Sequence, residues 1–123
     1  MWPFLSKRAK DYLEREDVLA AATDSLQSPK SFAKFLTRFS EMDAERVIVA
    51  YREQKVGLRR DPIEDAPEYG DIFREVAELV SQRYPERHMG QCHAEWRLKK
   101  SLLKERGVSW LSPSDLNPFN RYD

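Results

Sequence analysis

The side chains with the most reactive chemistry lie together. His88, Cys92 and His93 include both histidines and the only cysteine of the chain. Imidazole and thiolate are the ligands zinc prefers. A structural zinc site takes four of them, and only these three soft ligands exist, so a carboxylate such as Glu95 must complete the set. Cys92 and His93 are also neighbours, and neighbours diverge on a helix. The same cluster permits a second chemistry. Cys92 falls in the first turn of an expected helix, where the macrodipole favours a thiolate, and His88 is the available base. Against both stands the pattern around Cys92, which shares a helical face with Trp96 and Leu103. A cysteine on an apolar face behaves as a small, inert hydrophobe. The expectation is no metal and no cofactor, with His88, Cys92 and His93 as the residues to inspect.

Two charged rows follow. Glu68, Asp71, Glu75 and Glu78 recur at three, four and three residues, opposite the apolar face of one expected helix. From Asp61 to Glu78 there are seven acidic residues and a single basic one, Arg74. A helix dipole accounts for acids in the first turn, here Glu68 and Asp71, but not for Glu75 and Glu78 farther along. His93, Arg97, Lys100 and Lys104 recur at four, three and four on the next expected helix. Such a row suits a phosphate backbone or an acidic protein surface. The two rows also complement each other, within one chain or between two copies in a homodimer. Trp110 is a further candidate, as an interface aromatic or as a lid over the core.

The familiar catalytic patterns are missing from the sequence. No two of the four glycines are close enough to form a phosphate loop, and neither a nucleophile elbow nor a His-Glu-x-x-His pair occurs. The residue pattern therefore leans away from an enzyme.

The elements that carry these residues read as helices throughout, because apolar positions recur at three and four and strand-like alternation is lacking. Helical pattern runs from about Ser6 to Leu26, with Asp17 able to cap a second helix inside it, and Leu19 to Ala22 expected to be buried. Ser28-Pro29 opens the next helix, with Phe32, Phe35, Leu36 and Phe39 facing inward. Ser40 opens another, with Ala44, Val47, Ile48 and Tyr51 inside and Gly57 as its stop. Residues 58–67 read as a loop. A helix over about 67–84 places Tyr69, Ile72, Phe73, Val76, Ala77, Val80 and Tyr84 on one face. A last long helix over about 90–106 ends at Gly107. Ser112-Pro113 starts a short turn within an aromatic tail that is expected to pack on the helices. The expected fold is all-α: one domain over residues 1–123, a compact bundle of four to five main helices.

The chain has 123 residues, with 21 Lys plus Arg against 21 Asp plus Glu and 41% hydrophobic residues. That is the composition of a soluble globular protein, not of a disordered chain or a dedicated polyanion binder. The absence of a cysteine pair, of a signal-peptide pattern and of a long apolar run points to the cytoplasm and away from the membrane. The function these features favour is binding to another protein, as an adaptor, a regulatory subunit or an inhibitor of the toxin-neutralising kind. The charged rows would select the partner, with Glu68, Asp71, Glu75 and Glu78 the more important. A nucleic-acid-associated protein using Arg97, Lys100 and Lys104 is the second reading, and a metal or thiol protein the third.

Overall fold

Serine starts four of the helices. In a computed structural model that describes residues 4–55, 57–86 and 91–118, the side chains of Ser6, Ser28, Ser40 and Ser112 each accept a hydrogen bond from a backbone N–H in the first turn that follows. This satisfies a donor that the helix itself leaves unpaired. The elements are α1 (Lys7–Tyr12), α2 (Glu16–Asp24), α3 (Pro29–Leu36), α4 (Glu41–Glu53), α5 (Gly70–Arg83), α6 (Gln91–Glu105) and α7 (Pro113–Leu116). Two 3-10 turns, Pro62–Asp65 and Pro67–Tyr69, precede α5. The fold is all-α. Five of the helices have eight residues or more, and no strand occurs among the described residues. None of the described helices is long and apolar enough to cross a membrane. The chain divides into two compact units, Met1–Arg59 and Arg60–Asp123.

In the first unit, α2 packs on α3 and α4, and α1 packs on α3. Val18, Phe32, Leu36, Val47 and Ile48 are sealed from water. The rings of Phe32 and Tyr51 meet at 5.0 Å, and Phe39 meets Phe35 edge-on. Arg8 fastens α1 to the end of α3: its guanidinium donates to the carbonyl of Phe39 at 2.6 Å and to the Tyr12 hydroxyl. A cation at these carbonyls also complements the negative end of the α3 dipole.

Asp17 does not cap α2. The N-cap is Arg15, whose extended backbone (φ −94°, ψ 128°) provides no side-chain acceptor. The Asp17 carboxylate instead accepts from Val18 N–H and from Arg15. The Arg15 guanidinium grips Glu45 of α4 with two bonds, 2.7 and 2.8 Å long. Hydrogen bonding from Arg15 holds both Asp17 and Glu45 below the usual carboxylate range, against the opposing effect of partial burial. Carboxylates with depressed values stabilise the fold above their unfolded values and lose that contribution as pH falls through the folded ones. Arg15→Gln is therefore expected to lower stability by about 1 kcal/mol at neutral pH, because the network is partly solvated. The deficit should shrink below about pH 4. Urea unfolding of both chains at neutral and acidic pH checks this, and a deficit that is constant or grows on acidification would contradict it.

The exit from α2 is strained. Leu26 adopts φ 58° and is 96% exposed. Leu26 N–H donates to the Thr23 carbonyl and Gln27 N–H to the Ala22 carbonyl. That is a Schellman closure, which normally places glycine in the left-handed position. Leucine there brings Cβ against the following carbonyl. Leu26→Gly should raise stability by about 1 kcal/mol, read as a higher urea midpoint with an unchanged slope. Leu19, expected inside, is instead 36% exposed, because Val18, Ala21 and Ala22 form the inner face. Gly57 has φ 80° but does not stop α4, which ends at Glu53 with Gln54 as its C-cap.

The second unit is built from α5, α6 and the returning tail, with α5 packed on α6. Val76, Leu103, Val108 and Trp110 form its buried centre, with Ile63, Ile72, Phe73, Val80, Trp96 and Leu102 packed around them. The expected helix over 67–84 begins as a 3-10 turn and becomes α-helical only at Gly70. Ala77 lies outside its apolar face and is exposed. Gly107 ends α6 as expected. With φ 79° it allows Gly107 N–H to reach the Lys104 carbonyl and Val108 N–H to reach the Leu103 carbonyl. This second Schellman closure buries Val108 against Leu103 and turns the chain back.

Asp61 anchors that return. Its side chain is fully buried, accepting from Ile63 N–H at 3.0 Å and from Leu111 N–H at 2.9 Å. It thereby caps the first 3-10 turn and holds the tail with a single carboxylate. Trp110 is fixed beside it: the indole N–H donates to Glu64, and the Lys99 ammonium lies 4.5 Å from the ring centroid. Leu111 and Leu116 are buried, so the tail packs as expected up to Pro118; Phe119 and Tyr122 lie outside the described residues.

Candidate functional site

The basic row lies along one edge of α6. Arg97, Lys100 and Lys104 are exposed, as is His93, whose ring meets Trp96 edge-on at 5.4 Å. The return of the chain after Gly107 sets residues 107–115 beside this edge, and two grooves separate them. The wider groove, about 390 Å³, is lined by Lys100, Lys104, Gly107, Val108, Ser109 and Trp110. The narrower, about 210 Å³, lies between His93, Trp96, Arg97 and Lys100 on α6 and Ser112, Ser114 and Asp115 at the start of α7. Lys100 borders both. Its ammonium is held by Asp115 at 2.7 Å. Burial pushes the Asp115 carboxyl upward, but hydrogen bonds from Lys100 and from Ser112 N–H outweigh it and hold the group below its ordinary value.

Ser112 and Asp115 form a reciprocal capping box at the start of α7. The Ser112 hydroxyl accepts from Asp115 N–H, while Asp115 accepts from Ser112 N–H. Their shared task is to fix the wall of the narrower groove. No ion pair is formed by Arg97 or Lys104 among the described residues, so their charges are presented to solvent.

The acidic row has a different character. Glu68, Asp71, Glu75 and Glu78 are all exposed. Asp71 pairs with Arg74 at 2.8 Å, and Glu75 pairs with Arg106, just after α6, at 3.0 Å. Neither groove borders this row. The wider acidic run from Asp61 is not one surface: Asp61 is buried, Glu64 receives Trp110 and approaches Lys99, and Asp65 pairs with Arg60. Within the chain the two rows do not zip together as a set, since Lys100 is answered by the tail rather than by α5.

Trp110 is 2% exposed and belongs to the core of the second unit. Of the reactive cluster, His88 lies outside the described residues, Cys92 is half-buried and His93 is exposed. No group of three possible metal ligands occurs among the described residues. The walls contributed by Ser109, Ser114 and Asp115 were not apparent from residue spacing. Only the Ser112-Pro113 helix start signalled that this stretch had fixed geometry.

Comparison with protein-family models, with curated proteins and with solved structures finds no match to this chain, so the arrangement of side chains alone supports a function.

Proposed function

We propose that this chain is a protein-binding module whose α6–tail face receives an acidic segment of its partner. The observation that carries this reading is the coincidence of a basic edge with grooves. Arg97, Lys100 and Lys104 stand in one row, and two hollows run beside them between α6 and the returning tail. Exposed cations alone give steering and little affinity. A hollow beside them adds surface from which water can be expelled. The weight thus moves from the acidic row, much of which is paired in place, to the basic one. A single half-buried cysteine suits a reducing compartment, and we place the module in the cytoplasm.

Nucleic acid is the alternative for a basic row. Three features favour protein instead: the formal charge of the chain is zero, Asp115 neutralises the central lysine, and the row includes no Asn or Gln to read a base edge. The test is isolation of the tagged chain from its own cells at low salt, alongside two charge-reversed variants. A stoichiometric protein should accompany the native chain. It should be lost with Arg97→Glu/Lys104→Glu and retained with Glu68→Lys/Glu78→Lys. Co-isolated nucleic acid, or a partner lost only with the second variant, would overturn the proposal.

A further inference from the structure

We propose that the wider α6–tail groove is an anchor for a large apolar side chain set among carboxylates, so that the partner segment is acidic and apolar together; this rests on the reading just given. Lys100 lines this groove, yet its ammonium is drawn 2.7 Å from Asp115 on the far side. What it leaves facing the wider groove is its methylene stem. The remaining walls are Gly107, the exposed Ser109 and the small accessible edges of Val108 and Trp110, which are otherwise buried in the core, and the lining is more apolar than polar. Among the described residues that line this groove, Lys104 is then the cation whose charge is not drawn away by a carboxylate. The end of a helix carries negative partial charge, which opposes the seating of a bare anion beside residue 107. An apolar group seated there, with its neighbouring carboxylate reaching Lys104, meets both conditions.

The second cation fixes the length of the segment. Arg97 lies seven residues before Lys104, about 10 Å along the helix axis at the helical rise. That distance is covered by about three residues of extended chain. The occupant is therefore a short extended stretch with an apolar residue beside one carboxylate and another carboxylate about three positions away. The narrower groove, polar through Ser112, Ser114 and Asp115, accommodates the intervening backbone. Burial of one leucine side chain corresponds to about a tenfold gain in affinity or more.

Fluorescence anisotropy with short dye-labelled peptides tests this directly. The probes are a leucine flanked by glutamates, the same peptide with serine for leucine, the leucine peptide with lysines for glutamates, and a single-stranded DNA oligonucleotide. The leucine–glutamate peptide should bind about tenfold tighter than its serine counterpart, and the lysine peptide should not bind. Ser109→Trp, which fills the groove from an exposed position, should remove the advantage of leucine. Arg97→Glu should weaken both acidic peptides while preserving their ratio. Circular dichroism establishes that each variant is folded, and the leucine–serine ratio on the native chain decides the matter without them. Equal binding of the two acidic peptides would overturn the anchor and leave the acidic-partner reading standing. Tighter binding of DNA, or no binding of either acidic peptide, would overturn both.

Discussion

Asp61→Ala should lower the stability of the second unit by about 3–5 kcal/mol, the largest effect expected of any single polar substitution in that unit. The carboxylate is fully buried and accepts two backbone N–H groups. Alanine leaves both donors without this acceptor, and hydrogen bonds to a charged group contribute about 1.5–3 kcal/mol each. The two donors lie 48 positions apart, at Ile63 and Leu111, so their loss is not local. It releases the first 3-10 turn and the return of the tail together, and with them the seat of Trp110. A unit of this size has little stability in reserve. Asp61→Asn preserves shape and one acceptor but turns an amide N–H₂ toward one of the donors, so it should cost about half as much. Urea unfolding followed by tryptophan fluorescence measures both. An unaffected midpoint for Asp61→Ala would show that the tail is held by other contacts.

Arg97→Glu with Lys104→Glu should weaken binding of an acidic partner by about a hundredfold while leaving thermal unfolding nearly unchanged. Two unit charges 4 Å apart in water interact by about 1 kcal/mol. Each reversal removes one such attraction and adds a comparable repulsion, and salt screening reduces the total. Both side chains are exposed, and neither has an ion-pair partner among the described residues, so the fold loses little. Reversal of Glu78 serves as the control and should leave affinity within about twofold. The defect of the double variant should also narrow as ionic strength rises. A large defect that persists in high salt would mean that the substitutions had disturbed the groove rather than its charge.

The helices were readable in the sequence because what starts and stops them is local. Ser28-Pro29, Ser40 and Ser112-Pro113 announce caps within three residues, and Gly107 announces the closure of α6. The basic row was readable for the same reason, since helical spacing alone aligns it. What was not readable depends on distant residues. Asp61 belonged, by sequence, to an acidic run, and only its bond to Leu111, fifty positions on, makes it a buried anchor. Glu64 leaves the same run to accept from Trp110. The grooves exist because the chain returns beside α6 after Gly107, and a stop signal does not say where the next residues go. Nor does spacing reveal that Leu26 occupies a position where glycine is expected.

The most direct test of the acidic-partner site is to observe where a ligand touches the chain. Isotopically labelled protein titrated with a short glutamate-rich peptide bearing one leucine should show amide shifts confined to two stretches. These are the edge of α6 around Arg97, Lys100 and Lys104, and the tail around Ser109 to Asp115. Shifts centred on Glu68 to Glu78 with a basic peptide, and none along α6 with the acidic one, would contradict it.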